Sequence, residues 1–145
     1  MSGFAVVDAN VAAKWILSEV LSPQASALKR SWAREEVQPV APYLMPAEVA
    51  NILRRRVVRG ELSSENATAL MDTLMASGIE LLEPSGLHGR AIRLAHELRQ
   101  DAAYDAHYLA LAIALECDLW TADHRFYLAA SPSHSRVRWL GTFSS

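Results

Sequence analysis

Asp8 closes an apolar run, Phe4-Ala5-Val6-Val7, with a carboxylate, and Glu48, Asp105 and Asp123 recur at comparable junctions. Each stands at the start of a helical pattern or just beyond a strand-like run. Open parallel sheets place their chemistry outside the carboxyl ends of their strands, so four carboxylates at such junctions would face one rim. Singly, each has a plain structural use. Asp8 and Asp123 suit helix N-caps; Glu48 and Asp105 suit a first helical turn, where a negative charge gains roughly 0.3–1 kcal/mol from the helix dipole. Jointly they conflict, because carboxylates about 4 Å apart repel by roughly 4 kcal/mol at an effective dielectric near 20. A hard divalent cation with oxygen ligands, Mg²⁺ or Mn²⁺, resolves that conflict, and phosphate oxygens would complete its coordination.

The elements that must position these residues alternate along the chain. A strand through Val6 and Val7 leads past Asp8 into a helix over residues 10–17, and Ser22-Pro23 offers an N-cap with proline at the first helical position of a second helix through Leu28 and Trp32. Val37 to Ala41 reads as a strand. Pro46 begins a helix that places Val49, Ile52, Leu53 and Val57 on one face and ends at Gly60. Ser63 or Ser64 caps a helix ending near Gly78, Ile79 to Leu82 is a strand, and Ser85 opens a helix through Leu94 and Leu98. Asp101 is read as the cap of a long apolar helix from Tyr104 to Glu116; a short strand at 119–121, a helix around 126–130 and a last strand at 137–140 follow. Strands alternating with helices predict a central parallel sheet covered on both faces, with right-handed crossovers.

The 145 residues suit one domain spanning 1–145, with 51% hydrophobic and 21% charged residues placing it among ordinary globular chains. With 14 basic and 16 acidic residues the net charge is −2, so nucleic-acid binding would need a local patch. Arg54, Arg55, Arg56 and Arg59 on the Glu48 helix are candidates for phosphate contacts, as is Lys14; all serve equally well as a solvated helix face. Cys117, the single cysteine, reads as a buried thiol rather than a nucleophile. No glycine-rich phosphate loop and no helical pair of histidine metal ligands is present. The amino terminus lacks a signal-peptide pattern and no apolar run approaches bilayer length, so a cytoplasmic setting without membrane attachment is expected.

Four segments in order, Val6-Val7-Asp8-Ala9-Asn10, Pro46-Ala47-Glu48-Val49-Ala50-Asn51, the run from Tyr104-Asp105-Ala106 to Ala112, and Thr121-Ala122-Asp123, resemble the PIN-domain ribonucleases. The resemblance is greatest to the VapC-like toxins of toxin–antitoxin pairs and extends from Val6 to Asp123. It implies a three-layer α/β/α sandwich and a metal-dependent endoribonuclease whose acidic quartet is Asp8, Glu48, Asp105 and Asp123. Asn10 matches a polar position that helps orient the first aspartate, and Thr121 a hydroxyl position beside the last. His107 and His124 are given no role.

The implied reaction is in-line hydrolysis of an RNA phosphodiester to a 5′-phosphate and a 3′-hydroxyl. Asp8, Asp105 and Glu48 would hold a first Mg²⁺ or Mn²⁺ that activates a water, with Asp123 helping to hold a second ion or an ordered water. The same family implies a VapB-like antitoxin, a homodimer and a larger toxin–antitoxin assembly. Trp15, Ile16, Leu28 and Trp32 could line a groove for a partner helix or belong to the core, and an antitoxin arginine could enter the quartet in place of the cation. Two other classes stand beside this one: a metal-dependent phosphatase of small phosphoesters, disfavoured by Asn10 where a second aspartate is usual, and a non-catalytic module that binds RNA or protein.

Overall fold

A computed structural model describes residues 3–144; Met1, Ser2 and Ser145, the ends of the expected 1–145 domain, lie outside them. The described residues form five strands and seven α-helices. In order these are β1 (Gly3–Val7), α1 (Ala9–Lys14), α2 (Ser22–Glu35), β2 (Val37–Ala41), α3 (Met45–Val58), α4 (Ser64–Met75), β3 (Glu80–Leu81), α5 (Leu87–Glu97), α6 (Tyr104–Leu115), β4 (Asp118–Thr121), α7 (His124–Ala130) and β5 (Val137–Trp139), with a final 3-10 turn at Leu140–Thr142. All strand pairs are parallel in the order β3-β2-β1-β4-β5. With right-handed crossovers, α1 to α4 cover one face and α5 to α7 the other, giving the expected three-layer α/β/α sandwich.

Strand β1 is central, and the chain leaves it to one side through β2 and to the other through β4. The crevice at that reversal, outside the carboxyl ends of β1 and β4, is where such sheets bind ligands. Register carries Asp8 there: Val7 pairs with Trp120, and the Asp8 amide donates to the Trp120 carbonyl at 3.2 Å. Val6, Val7 and Val40 are fully buried, as expected of strands covered on both faces. Helix α6 packs on β1 and α5 and is buried continuously from Ala106 to Ala112, so it acts as a rigid post with its amino end at the rim.

Several local expectations are corrected. Ser22 does not cap α2; its hydroxyl donates to the Leu17 carbonyl and accepts from the Glu19 amide, while Leu21, at φ 72°, makes the turn. Ser85 does not open α5, which starts after Gly86 at φ 80°, where a glycine takes the left-handed backbone without strain. Ser63 does cap α4, accepting from the Asn66 amide at 3.0 Å. The strand expected at 79–82 shortens to Glu80–Leu81 on the sheet edge. No helix among the described residues is long and apolar enough to cross a membrane.

Candidate functional site

Asp8 stands one residue past β1 and caps α1. Its Oδ1 accepts from the Val11 amide at 2.8 Å; its Oδ2 accepts from Thr121 Oγ1 at 2.5 Å and from the Ala122 amide at 3.3 Å. These bonds lock the side chain where β1 and β4 end together. Burial nonetheless dominates: with only 6% of its surface exposed and Asp105 nearby, Asp8 is pushed up to about 7 against the opposing pull of its hydrogen bonds. Asp105, in the first turn of α6, is pushed up to about 6, first by burial and then by the charges of Asp123 and Glu48. Asp105 is therefore the electrostatic hub: the other three carboxylates all act on it or are acted on by it.

Glu48 lies in the first turn of α3 and accepts from Tyr108 Oη at 2.6 Å. Burial and that carboxylate hold the Tyr108 phenol far above its usual range, so it stays a donor. Asp123 caps α7, accepting from the Phe126 amide at 3.1 Å, and its own amide donates to Thr121 Oγ1 at 3.0 Å. Thr121 thus joins the first and last aspartates through one hydroxyl.

Glu48, Asp105 and Asp123 border a cleft of about 610 Å³, together with Gln100, Asp101 and Arg125. Asp8 lies buried behind it. A second cleft of about 470 Å³ adjoins the first, bordered by Asn10, Asn51, Ile52 and Arg55; Glu48 and Tyr104 belong to both. Four carboxylates bring only hard oxygen donors, a set that fits Mg²⁺ or Mn²⁺ rather than softer metals. Among the described residues, no three acidic, histidine or cysteine side chains are gathered tightly enough to hold an ion as they stand. Like charges in a partly dry cleft keep their distance, in line with the raised values of Asp8 and Asp105.

Other expectations change. Asn10 is exposed and faces the second cleft; Val11, Thr121 and Ala122 orient Asp8 instead. Asp101 is no cap, because α6 begins after Ala103 without a side-chain cap; it stands on the wall of the acidic cleft. Lys14 is paired with Glu19 at 3.3 Å, and Arg56 joins the same glutamate, so both are spent within the α1–α3 region. Arg54 lines a separate groove between α3 and α4, and Arg59 pairs with Glu61. Of the basic candidates only Arg55 faces the site. Of the two readings of Trp15, Ile16, Leu28 and Trp32, the core one holds: Leu28 and Trp32 are buried, Ile16 packs on the core, and the Trp15 indole donates to the Ala25 carbonyl at 2.8 Å and meets Trp32 edge-on.

Two residues were not anticipated. Tyr108 follows Asp105 by three positions on α6, hence on the same face, and a phenol in so apolar a helix was a readable signal. Arg125, two residues past Asp123, brings a guanidinium to the acidic cleft. His107 is buried, hydrogen-bonded to the Ala103 carbonyl and His88, and His124 stacks near Tyr127 and Trp139. Cys117 is buried and its thiol is pushed up to about 11, chiefly by that burial.

A doubly wound parallel sheet with an acidic crevice at its switch point defines a class of α/β proteins that act on ligands at the strand ends. Residues 6–138 match the family described as PIN domain, and the chain belongs to that family. It is 37% identical over 129 residues to Ribonuclease VapC1 of Mycobacterium tuberculosis, covering 88% of this chain and 90% of that one. To Ribonuclease VapC9 of the same organism it is 32% identical over 120 residues, covering 83% and 86%. Among solved structures, VapBC2 from Rickettsia felis, bound to a DNA fragment from its promoter, has the same fold at a TM-score of 0.66 and 14% identity, over 94% of this chain and 96% of that one.

Proposed function

We propose that this protein is a Mg²⁺- or Mn²⁺-dependent endoribonuclease acting in the cytoplasm as the toxin of a toxin–antitoxin pair. The observation that carries the reading is Glu48, Asp105 and Asp123 bordering one cleft, with Asp8 fixed where β1 and β4 end, and VapC relatives named ribonucleases support it. Asp8, Glu48, Asp105 and Asp123 would hold the metal, which when bound supplies Lewis acidity to a water and to the phosphate oxygens.

The chain's own groups do the rest. Asp8 is fixed by three donors and Glu48 by the Tyr108 hydroxyl, so both present their oxygens without first ordering a mobile side chain. The Tyr108 proton stays on Oη, so the phenol remains a donor to Glu48. Arg125 in the acidic cleft and Arg55 in the adjoining one, with Glu48 bordering both, would neutralise RNA phosphates flanking the reacting one. In-line attack by water on that phosphate would break its bond to the 3′ oxygen, which takes up a proton, giving a 5′-phosphate and a 3′-hydroxyl. A VapB-like antitoxin, of which the Rickettsia felis complex is a solved example, would restrain the enzyme by placing an arginine among the carboxylates. We further assign it a homodimer within a larger toxin–antitoxin assembly.

The test is to incubate the purified protein with single-stranded RNA and with a phosphomonoester, with Mn²⁺ or with a chelator. The reading expects RNA cleavage with Mn²⁺ alone and no turnover of the monoester. Monoester turnover without RNA cleavage would make it a phosphatase, and neither would leave a binding module.

A further inference from the structure

Tyr104 opens a helix that is otherwise buried for most of its length, yet the residue is 62% exposed. It borders both clefts, as Glu48 does, so the two clefts adjoin at these residues. The two halves differ in chemistry. The first carries carboxylates. The second offers the amides of Asn10 and Asn51, the guanidinium of Arg55 and an apolar flank at Ile52. At about 470 Å³ it lies within the usual 300–1,000 Å³ of small-ligand sites.

Each of these features suits one unpaired nucleotide. An exposed aromatic ring gives a base a face to stack on, and single-stranded RNA is recognised in this way because its bases can splay out. An amide has both donor and acceptor, which is what reading a base edge requires. A guanidinium offers a fork to phosphate. Tyr104 borders the acidic cleft together with Glu48, Asp105 and Asp123, so a base on the ring would lie beside those carboxylates. A strand engaged at the carboxylates must continue past them, and the amide-lined cleft that shares Glu48 and Tyr104 with theirs adjoins them directly.

We propose that the cleft beside Tyr104 is a nucleotide subsite for single-stranded RNA: the base flanking the scissile phosphate stacks on Tyr104, Asn51 reads its edge, and Arg55 holds its phosphate. The proposal rests on the endoribonuclease reading and adds where the strand runs and which residues set base preference.

The experiment is cleavage kinetics in Mn²⁺ on a short single-stranded oligoribonucleotide and on copies with an abasic nucleotide at each position around the cut. With the native protein, one abasic position adjacent to the cut should raise KM by roughly 5- to 100-fold, the range of base–aromatic stacking. Tyr104→Ala should raise KM on the intact RNA by a similar factor and show no further penalty at that position, whereas Tyr104→Trp should restore the penalty. Asn51→Ala should flatten the preference among the four bases there. A native KM in Tyr104→Ala, or an abasic penalty that survives it, overturns the proposal and leaves the exposed ring to a protein surface. If the native protein does not cleave the intact RNA at all, the endoribonuclease reading falls and takes this one with it.

Discussion

Replacing the hub carboxylate should stabilise the metal-free protein while removing its activity. Asp105 is pushed from its ordinary 3.8 to about 6 by burial and by Asp123 and Glu48, and at about 1.36 kcal/mol per pKa unit the ionised form costs about 3 kcal/mol at most. The group is partly exposed, and solvent screening reduces this to about half. An asparagine also forgoes the helix-dipole gain of roughly 0.3–1 kcal/mol. The net stabilisation expected of Asp105→Asn at pH 8 is therefore about 1 kcal/mol, or roughly 3–4 °C in Tm for a chain of this size. Because the folded value lies above the unfolded one, the native protein has this stability in full below about pH 4 and loses it as pH rises through about 6. The advantage of the variant should thus be absent at pH 4 and complete at pH 8. Thermal melts in chelator at those two values test it. A variant no more stable than native at pH 8, or equally favoured at both, would refute the claim that burial and the charges of Asp123 and Glu48 penalise the ionised Asp105.

Thr121→Val removes the donor to Asp8 Oδ2 and the acceptor for the Asp123 amide, and should lower stability in a denaturant titration by about 1–3 kcal/mol. Tyr108→Phe frees Glu48 from its only observed side-chain donor; RNA cleavage should fall roughly 10- to 100-fold from misplacement, with an unchanged circular dichroism spectrum. Protons compete with a cation for Asp8 and Asp105, at about 7 and about 6, so cleavage in fixed Mn²⁺ should climb steeply from pH 5 to 8; a flat profile would count against these two as ligands.

The sandwich was legible because apolar runs at strand and helix length alternate without interruption, and because β1 and α6 are apolar nearly throughout, as suits elements whose middles are covered on both faces. The junction positions of the four carboxylates were legible too, Asp8 and Asp123 as helix caps and Glu48 and Asp105 in first helical turns. Less so were residues whose role depends on partners far along the chain. Lys14 and Arg56 look free in sequence, but the fold brings Glu19 to both. Arg54 and Arg55 are neighbours that helical geometry sends to different grooves. Asp101 sits at capping distance from α6, yet its loop turns it onto the cleft wall. The Tyr108–Glu48 bond spans sixty positions and appears only when α6 crosses the rim beside α3.

The central claim, that carboxylates at the sheet's switch point hold the metal that cleaves RNA, is tested most directly by the single-turnover rate of single-stranded RNA cleavage in saturating Mn²⁺, native protein against Asp8→Asn. Asparagine keeps the size of the side chain and an acceptor for the Val11 amide, so folding should survive while the charge is lost. The account predicts a fall of at least about 100-fold, the scale of removing one group of a preorganised electrostatic site. A folded Asp8→Asn that cleaves RNA at the native rate would contradict it.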